Sequence, residues 1–315
     1  MVVLNKLKQL SFYIKTEIYI NYYIMSLSLL TFDNHIMEII LKNIDKESHL
    51  IVGLTCKELY KTLKTLNPDE KLIGTLKYLT SNLKLLKYAH LNKCLWSTKT
   101  IDKILYVANN ESLECLKYAH KNACPWSVWT CYDAVKNGHL DCLKYCHEND
   151  FHWDQLTSEM AAENGNLECL KYLHKNGCPC RVDICNSAAR GGNLECIKYA
   201  HENAFPWTEY TCELVASRGY IKCLKYLHEN DCPWNELTCY RAAMYGHLEC
   251  LKYGHENGCP WDKDTCVNAA ENGHLECLIY AHQNGCPWDK ETCRCASMNG
   301  HLECLKYARD NGCPE

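Results

Sequence analysis

No stretch of the 315-residue sequence stays apolar for the roughly 20 residues that a membrane-spanning helix needs. The most apolar early segment, beginning at Ile18, is broken by Asn21 and followed by no small-residue cleavage site, so neither an anchor nor a secretory leader is expected. Patterned sequence begins only at Met25, and residues 1–24 read as an extension that need not belong to the folded protein. Runs of one charge are also missing. With 34 Lys and Arg against 38 Asp and Glu, the formal net charge is −4 and no basic tract follows a phosphate backbone, so nucleic acid is not an expected partner. The sequence has no phosphate loop, no nucleophile elbow, no HExxH and no dinucleotide fingerprint, so no catalytic residue and no cofactor is expected.

What the sequence does have is cysteine. There are 25, an odd number in a chain too long for a small disulfide scaffold, so reduced thiols in a cytoplasmic or nuclear compartment are expected. Most of them belong to a repeat. Leu113, Leu140, Leu167, Leu194, Ile221, Leu248, Leu275 and Leu302 stand 27 residues apart without a slip, and Tyr118 to Tyr307 keep the same step. One earlier copy, "LKLLKYAHLNKCLW" at 83–96, lies 30 residues upstream. Eight regular copies and one irregular one predict a solenoid, whose core is buried between neighbouring repeats.

Punctuation divides each unit into two helices. Ser97, Ser127, Asp154, Thr208, Asn235, Asp262 and Asp289 follow the Trp position and suit a helix start, where a side-chain oxygen accepts from an orphan amide; Arg181 is the exception. The first helix runs to Gly138, Gly165, Gly192, Gly219, Gly246, Gly273 or Gly300, each suited to a left-handed stop. A second helix of "HLECLKYAH" type follows at once and ends at steps such as Asn257-Gly258, with Pro260 or Pro287 beyond. His139, His247, His274 and His301, exchanged for Asn166, Asn193 and Tyr220, are expected to cap this second helix. Leu275, Leu278 and Ala281 recur at helical spacing as its apolar stripe, widened by Cys277 and Tyr280. In the first helix, Ala161-Ala162, Ala188-Ala189, Ala242-Ala243 and Ala269-Ala270 let the two helices approach closely. The expected fold is all-α.

The stretch "AAENGHLECLIYAHQNG" (269–285) resembles the helical half of an ankyrin repeat, with its Ala-Ala, Gly-His and paired-aliphatic pattern. An ankyrin repeat is usually about 33 residues and opens Thr-Pro-Leu-His. Here the unit is shorter and opens Thr265-Cys266-Val267-Asn268, the deficit falling between Cys286 and Thr292 where ankyrin repeats carry a β-hairpin finger. The resemblance covers residues 83–313, and the shortened Cys-Pro-Trp-rich type is similar to expanded repeat families of giant amoeba-infecting DNA viruses. It implies an ankyrin-like α-solenoid over 83–315 that binds another protein and catalyses nothing.

Residues 25–66 do not repeat. The segment "LTFDNHIMEIILKNIDKESHLIVGLTCKELYKTL" (30–63) resembles an F-box at Leu30, Ile36, Ile39, Ile40, Ile44, Leu54 and Cys56. It departs from that pattern in lacking a proline after the first leucine, and in placing Leu59 or Tyr60 where tryptophan is common. The resemblance implies that those residues dock a Skp-type adaptor of a cullin ubiquitin ligase while the repeats hold a target. A helical cap shielding the first repeat is the other reading of the same residues. Asn67-Pro68-Asp69-Glu70 then opens an N-terminal capping helix over 67–82.

Repeats compare equivalent sites within one chain, which tests the cysteines. The cysteine of the Gly-Cys-Pro link (Cys94, Cys124, Cys178, Cys232, Cys259, Cys286, Cys313) is replaced by Phe151 and Phe205, and the second-helix cysteine by Leu85. Phenylalanine replaces a buried hydrophobe but not a thiolate ligand, so the cysteines are expected to fill volume. Pairs such as His255 and Cys259 are four apart, yet zinc needs four ligands and the repeats contain no C-x-x-C. A metal- or redox-handling thiol protein therefore stands as the alternative from another class. The histidines two residues after each Tyr, His90 to His282, are expected to form a polar ladder hydrogen-bonded to neighbouring repeats.

Invariant positions of a solenoid build it and variable ones bind. The variable positions lie after each Trp and on the free face of the first helix: Trp129, Tyr132, Asp133, Leu156, Met160, Tyr210, Leu214, Leu237, Tyr240, Arg241, Met244 and Tyr245. Tyr, Trp, Met and Arg are enriched at protein interfaces, so Trp129, Tyr132, Tyr210, Tyr240, Arg241, Met244 and Tyr245 are the expected partner-binding set.

Overall fold

The computed structural model describes residues 98–106, 112–180 and 183–314, together with Leu83, Leu86, Lys87 and His90, all four helical. The extension, the F-box-like residues Leu30 to Cys56 and the capping helix expected over 67–82 lie outside the described residues. Among the described residues there are sixteen α-helices and no strand. The chain divides into two compact units, Met1–Ser127 and Val128–Glu315. In the first, α1 (Thr98–Tyr106) packs on α2 (Ser112–Lys121), burying Ile101, Ile104 and Leu105 with Cys115, Leu116 and Ala119.

The second unit is a stack of helix pairs: α3 (Thr130–Lys136) with α4 (Leu140–Glu148), α5 (Gln155–Glu163) with α6 (Leu167–Lys175), α7 (Ile184–Gly191) with α8 (Leu194–Glu202), and α9 (Glu209–Ser217) with α10 (Ile221–Glu229). The stack continues through α11 (Glu236–Met244) with α12 (Leu248–Glu256), α13 (Lys263–Glu271) with α14 (Leu275–Gln283), and α15 (Lys290–Met298) with α16 (Leu302–Asp310). Each first helix packs against its own second helix and against the first helix of the next pair. Alanine makes that approach possible: Ala161, Ala162, Ala188, Ala189, Ala242, Ala243, Ala269 and Ala270 are fully buried.

The first helices start where a short polar side chain caps them. Asp154 accepts from the Thr157 amide at 3.1 Å, while the Asp154 amide donates to Thr157 Oγ1 at 3.3 Å. Asn235, Asp262 and Asp289 accept from the amides two residues on at 3.0–3.1 Å. Satisfying an orphan amide in this way is worth about 1 kcal/mol per helix. The start expected at Ser127 differs: α3 begins at Thr130 after Trp129, with no side-chain cap. At α7, Asp183 likewise makes no cap bond.

The first helices stop at glycine, and here the expectation for the following residue needs correction. At Gly246 (φ 74°) the Gly246 amide donates to Ala243 O at 3.2 Å and the His247 amide to Ala242 O at 2.8 Å. His247 is thus wrapped into the end of the first helix. The side chains of His139, Asn166, Asn193, Tyr220, His247, His274 and His301 make no cap bond to the second helix that each precedes. Asn166, Asn193 and His247 reach instead to the preceding repeat. Asn166 Nδ2 donates to Val135 O at 2.7 Å, Asn193 Nδ2 to Glu163 O at 2.7 Å, and His247 Nε2 to Ser217 O at 3.2 Å. Asparagine and histidine interchange because each supplies an N–H to carbonyls left open at the end of that helix.

In the second helix the sulfur lies at the centre of the apolar stripe rather than at its margin. Cys277 and Leu278 are buried with Ala281, whereas Leu275 is half-buried and its equivalent Leu302 is 72% exposed. The link thiols are also bonded. Cys259, Cys286 and Cys313 place Sγ 3.1–3.2 Å from the carbonyls of Asn235, Asp262 and Asp289, the cap residues one repeat earlier. The S–H donates weakly and ties each link to its predecessor. Phe151 and Phe205, which replace this cysteine, are half-buried.

The histidine ladder has defined partners. His147, His174, His201, His228 and His282 hold Nδ1 2.8–3.1 Å from the hydroxyl of the next repeat's Tyr. His228, His255 and His282 stack on Trp234, Trp261 and Trp288 with centroids 3.7–4.1 Å apart.

Two glycines with the same backbone sign separate strain from collision. A Cβ at Gly246 would meet His274 Nδ1 at 2.5 Å, whereas one at Gly258 (φ 83°) would meet nothing within 4 Å. Ala123 and Ala204 already occupy the Gly258 position in other copies, at φ 57° and 58°. Gly258→Ala is expected to cost about 1 kcal/mol in urea unfolding, and Gly246→Ala clearly more, about 2–4 kcal/mol. Equal losses would remove the collision from the account.

Candidate partner-binding surface

The variable residues gather on the first helices because the other faces of these helices are consumed by packing. Trp129 at the entry to α3 is 48% exposed, and its ring meets Tyr132 edge-on at 5.7 Å and 76°. Positions one repeat apart then face each other across two neighbouring helices. Trp129 and Tyr132 on the α3 side and Leu156, Glu159, Met160 and Glu163 on α5 line a cleft of about 370 Å³. Glu163 is paired with Arg190 of α7 (Nε to carboxylate 3.5 Å), while Glu159 accepts a hydrogen bond from the neutral Gln155 amide. Burial raises the Tyr132 hydroxyl above its ordinary pKa, and the negative charges of Asp133 and Glu163 add to the shift.

Further along, Arg241 of α11 holds its guanidinium carbon 5.5 Å from the Tyr240 ring centroid and Nη1 3.9 Å from Met244 Sδ. Glu213 of α9 is only 6% exposed; burial raises its carboxyl pKa, opposed by the Arg241 charge and an Asn235 hydrogen bond. Tyr210 and Tyr245 are 47% and 48% exposed, and Leu237 is exposed as well. The structure therefore groups two of the expected residues, Trp129 and Tyr132, with Leu156 and Met160. It groups three others, Tyr240, Arg241 and Met244, in a separate cluster. Glu159, Glu163 and Glu213 were not among the expected residues. The signal was present, because Tyr132, Glu159, Glu213 and Tyr240 occupy one column of the repeat.

Comparison with known proteins finds a family match over part of the chain. Residues 131–174 and 158–201 match the family model for ankyrin repeats (many copies). This stretch is similar to ankyrin repeats. The crystal structure of the human ASB11 ankyrin repeat domain is similar over 55% of this chain and 95% of that one, at 18% identity and a TM-score of 0.47. No curated protein sequence matches the chain. Among the described residues no helix is long and apolar enough to cross a membrane.

The thiols of these ankyrin-like repeats are poor ligands as placed. Among the described residues no group of three or more His, Cys, Asp and Glu side chains converges on a common point. His255 and Cys259, four apart on one helix end, diverge to Trp261 and to the Asn235 carbonyl. Burial holds Cys124, Cys178, Cys185, Cys250 and Cys277 at about 12, against an ordinary value of 9.0. The adjacent Cys259 thiol, with burial, pushes Cys239 far up as well.

These shifts fix the sign of an alkaline effect. The folded thiols keep their protons above pH 9.0, where the unfolded chain releases them, so their contribution to stability is whole below that pH and is lost as pH rises through about 12. Each such thiol withdraws up to about 1.4 kcal/mol per pH unit in that window. The urea midpoint under reducing conditions is expected to hold from about pH 7 to 8.5 and fall steeply from about pH 9 to 11; a flat profile would contradict the burial assigned to these sulfurs.

Proposed function

We propose that the chain is a non-catalytic adaptor of ankyrin type throughout residues 83–315, holding a protein partner on the first-helix face of residues 129–245. One observation carries this reading. Within a unit whose repeated positions are spent on packing, the residues that change between copies are aromatic, methionine and arginine side chains, exposed or half-exposed on one face. Such side chains dominate interface energies. We further infer, from sequence resemblance alone, that residues 25–66 dock a Skp-type adaptor, so that the bound partner is presented for ubiquitination. The reducing interior of a cell, cytoplasm or nucleus, fits the thiol content.

A photo-reactive amino acid placed at position 129, 210 or 245 of the full chain is expected to cross-link one common protein in cell extract. Position 171 or 225, on exposed second-helix faces, is expected to give none of it. Cross-linking from the second-helix positions alone would reverse the assignment of the face. For the adaptor, co-purification with a Skp-type protein that disappears on deleting residues 25–66 supports the bridge. Its absence from the full chain, or survival of the deletion, would leave a plain scaffold.

A further inference from the structure

The cleft between α3 and α5 combines two aromatic rings, two apolar side chains and two carboxylates, with no basic side chain in its lining. At about 370 Å³ this open cleft has room to receive one long side chain. Two like charges beside Leu156 and Met160 repel each other, and a cation entering between them relieves that repulsion. Glu163 already takes a guanidinium, that of Arg190, whereas the Gln155 amide leaves the charge of Glu159 uncompensated at that contact.

The same chain shows a related arrangement elsewhere, with ring and carboxylate exchanged between the two helices and an arginine beside them. In the column that holds Tyr132 and Glu159 stand also Glu213 and Tyr240, on the neighbouring helices α9 and α11. There Arg241 lies over the Tyr240 ring at 5.5 Å and its charge acts on the Glu213 carboxyl. The column that holds Arg241 carries Asp133 and Met160 at the α3–α5 cleft, so the ring and the carboxylate recur and the internal arginine does not. A guanidinium is planar, stacks on aromatic faces and bridges carboxylate oxygens, and its methylene stem packs on apolar side chains.

Resting on the partner-binding reading above, we propose that this cleft receives an arginine side chain of the bound protein. The guanidinium lies against Trp129 and Tyr132 and faces Glu159 and Glu163, with its stem on Leu156 and Met160. The cleft selects a cationic, planar head group, so specificity at this point of the interface is electrostatic as well as apolar.

Fluorescence anisotropy of the full chain at low salt, with labelled peptides Gly-Leu-X-Leu-Gly, tests it. With X as arginine, binding is expected to be about tenfold tighter than with citrulline, which keeps the shape and loses the charge. Lysine should fall between them. Glu159→Gln, a near-isosteric change expected to leave the melting temperature unaltered, should erase most of the arginine preference; Trp129→Ala should weaken every peptide. Equal binding of the arginine and citrulline peptides, no binding of the arginine peptide, or a preference that survives in Glu159→Gln would each overturn the proposal. The cross-links from positions 210 and 245 keep the two readings apart. If they form while arginine shows no preference, this inference alone fails. If they are absent while arginine is preferred, the extended interface is what fails.

Discussion

The stack depends on a hydrogen bond that runs backwards along the chain, from one Asn or His side chain to the open carbonyls that end the preceding first helix. Asn166, Asn193 and His247 each span 30 or 31 residues to make it. The carbonyls that end a first helix have no partner within it, and at these part-buried ends a side chain of the next repeat supplies the donor. The glycine that stops each first helix serves the same bond. Its left-handed backbone turns the chain, and its missing Cβ leaves space for the donor arriving from the next repeat, which would otherwise stand 2.5–2.8 Å away at Gly138, Gly219 or Gly246. One position thus sets both the local turn and the spacing between repeats.

Much of this was legible in the sequence because the period is strict. A step of 27 residues, a cap residue after the Trp, a glycine stop and an Asn-Gly end place the helices to within a residue or two. What the sequence left open was direction. His247 sits immediately before a helix, so a forward cap was the natural expectation, yet its amide is already committed to Ala242 O and its imidazole points to the previous repeat. Ser127 shows a similar limit, since a good cap residue does not compel a helix to begin there; α3 starts at Thr130. The cysteines were read as volume, which their burial supports, but the bond from each link thiol to a cap carbonyl one repeat back is a tertiary relation that no spacing reveals.

On the proposed binding face, the aromatic and sulfur-bearing residues were singled out from the sequence and the acids were not. Trp129, Tyr132, Tyr240 and Arg241 stand out because their columns change residue type from copy to copy and these members are of types enriched at interfaces. Glu159, Glu163 and Glu213 do not, since glutamate on a helix is ordinarily a solvated residue. Only the packing of neighbouring first helices sets Glu159 beside the rings of the previous repeat and sinks Glu213 to 6% exposure. These carboxylates make the face locally acidic, which the near-neutral overall composition conceals.

The bonds between repeats also bear on how the chain comes to be folded. Thiol to carbonyl spans 24 residues, histidine to tyrosine 25, and the backward donor at most 31. Every one of these contacts is therefore complete once little more than one further repeat has left the ribosome, with no need to await a distant segment. Folding built from contacts of such short range is fast and proceeds by extension from whatever pair forms first. A nascent array of this kind keeps one unfinished helix face exposed at its growing end, and each new repeat covers it as it emerges.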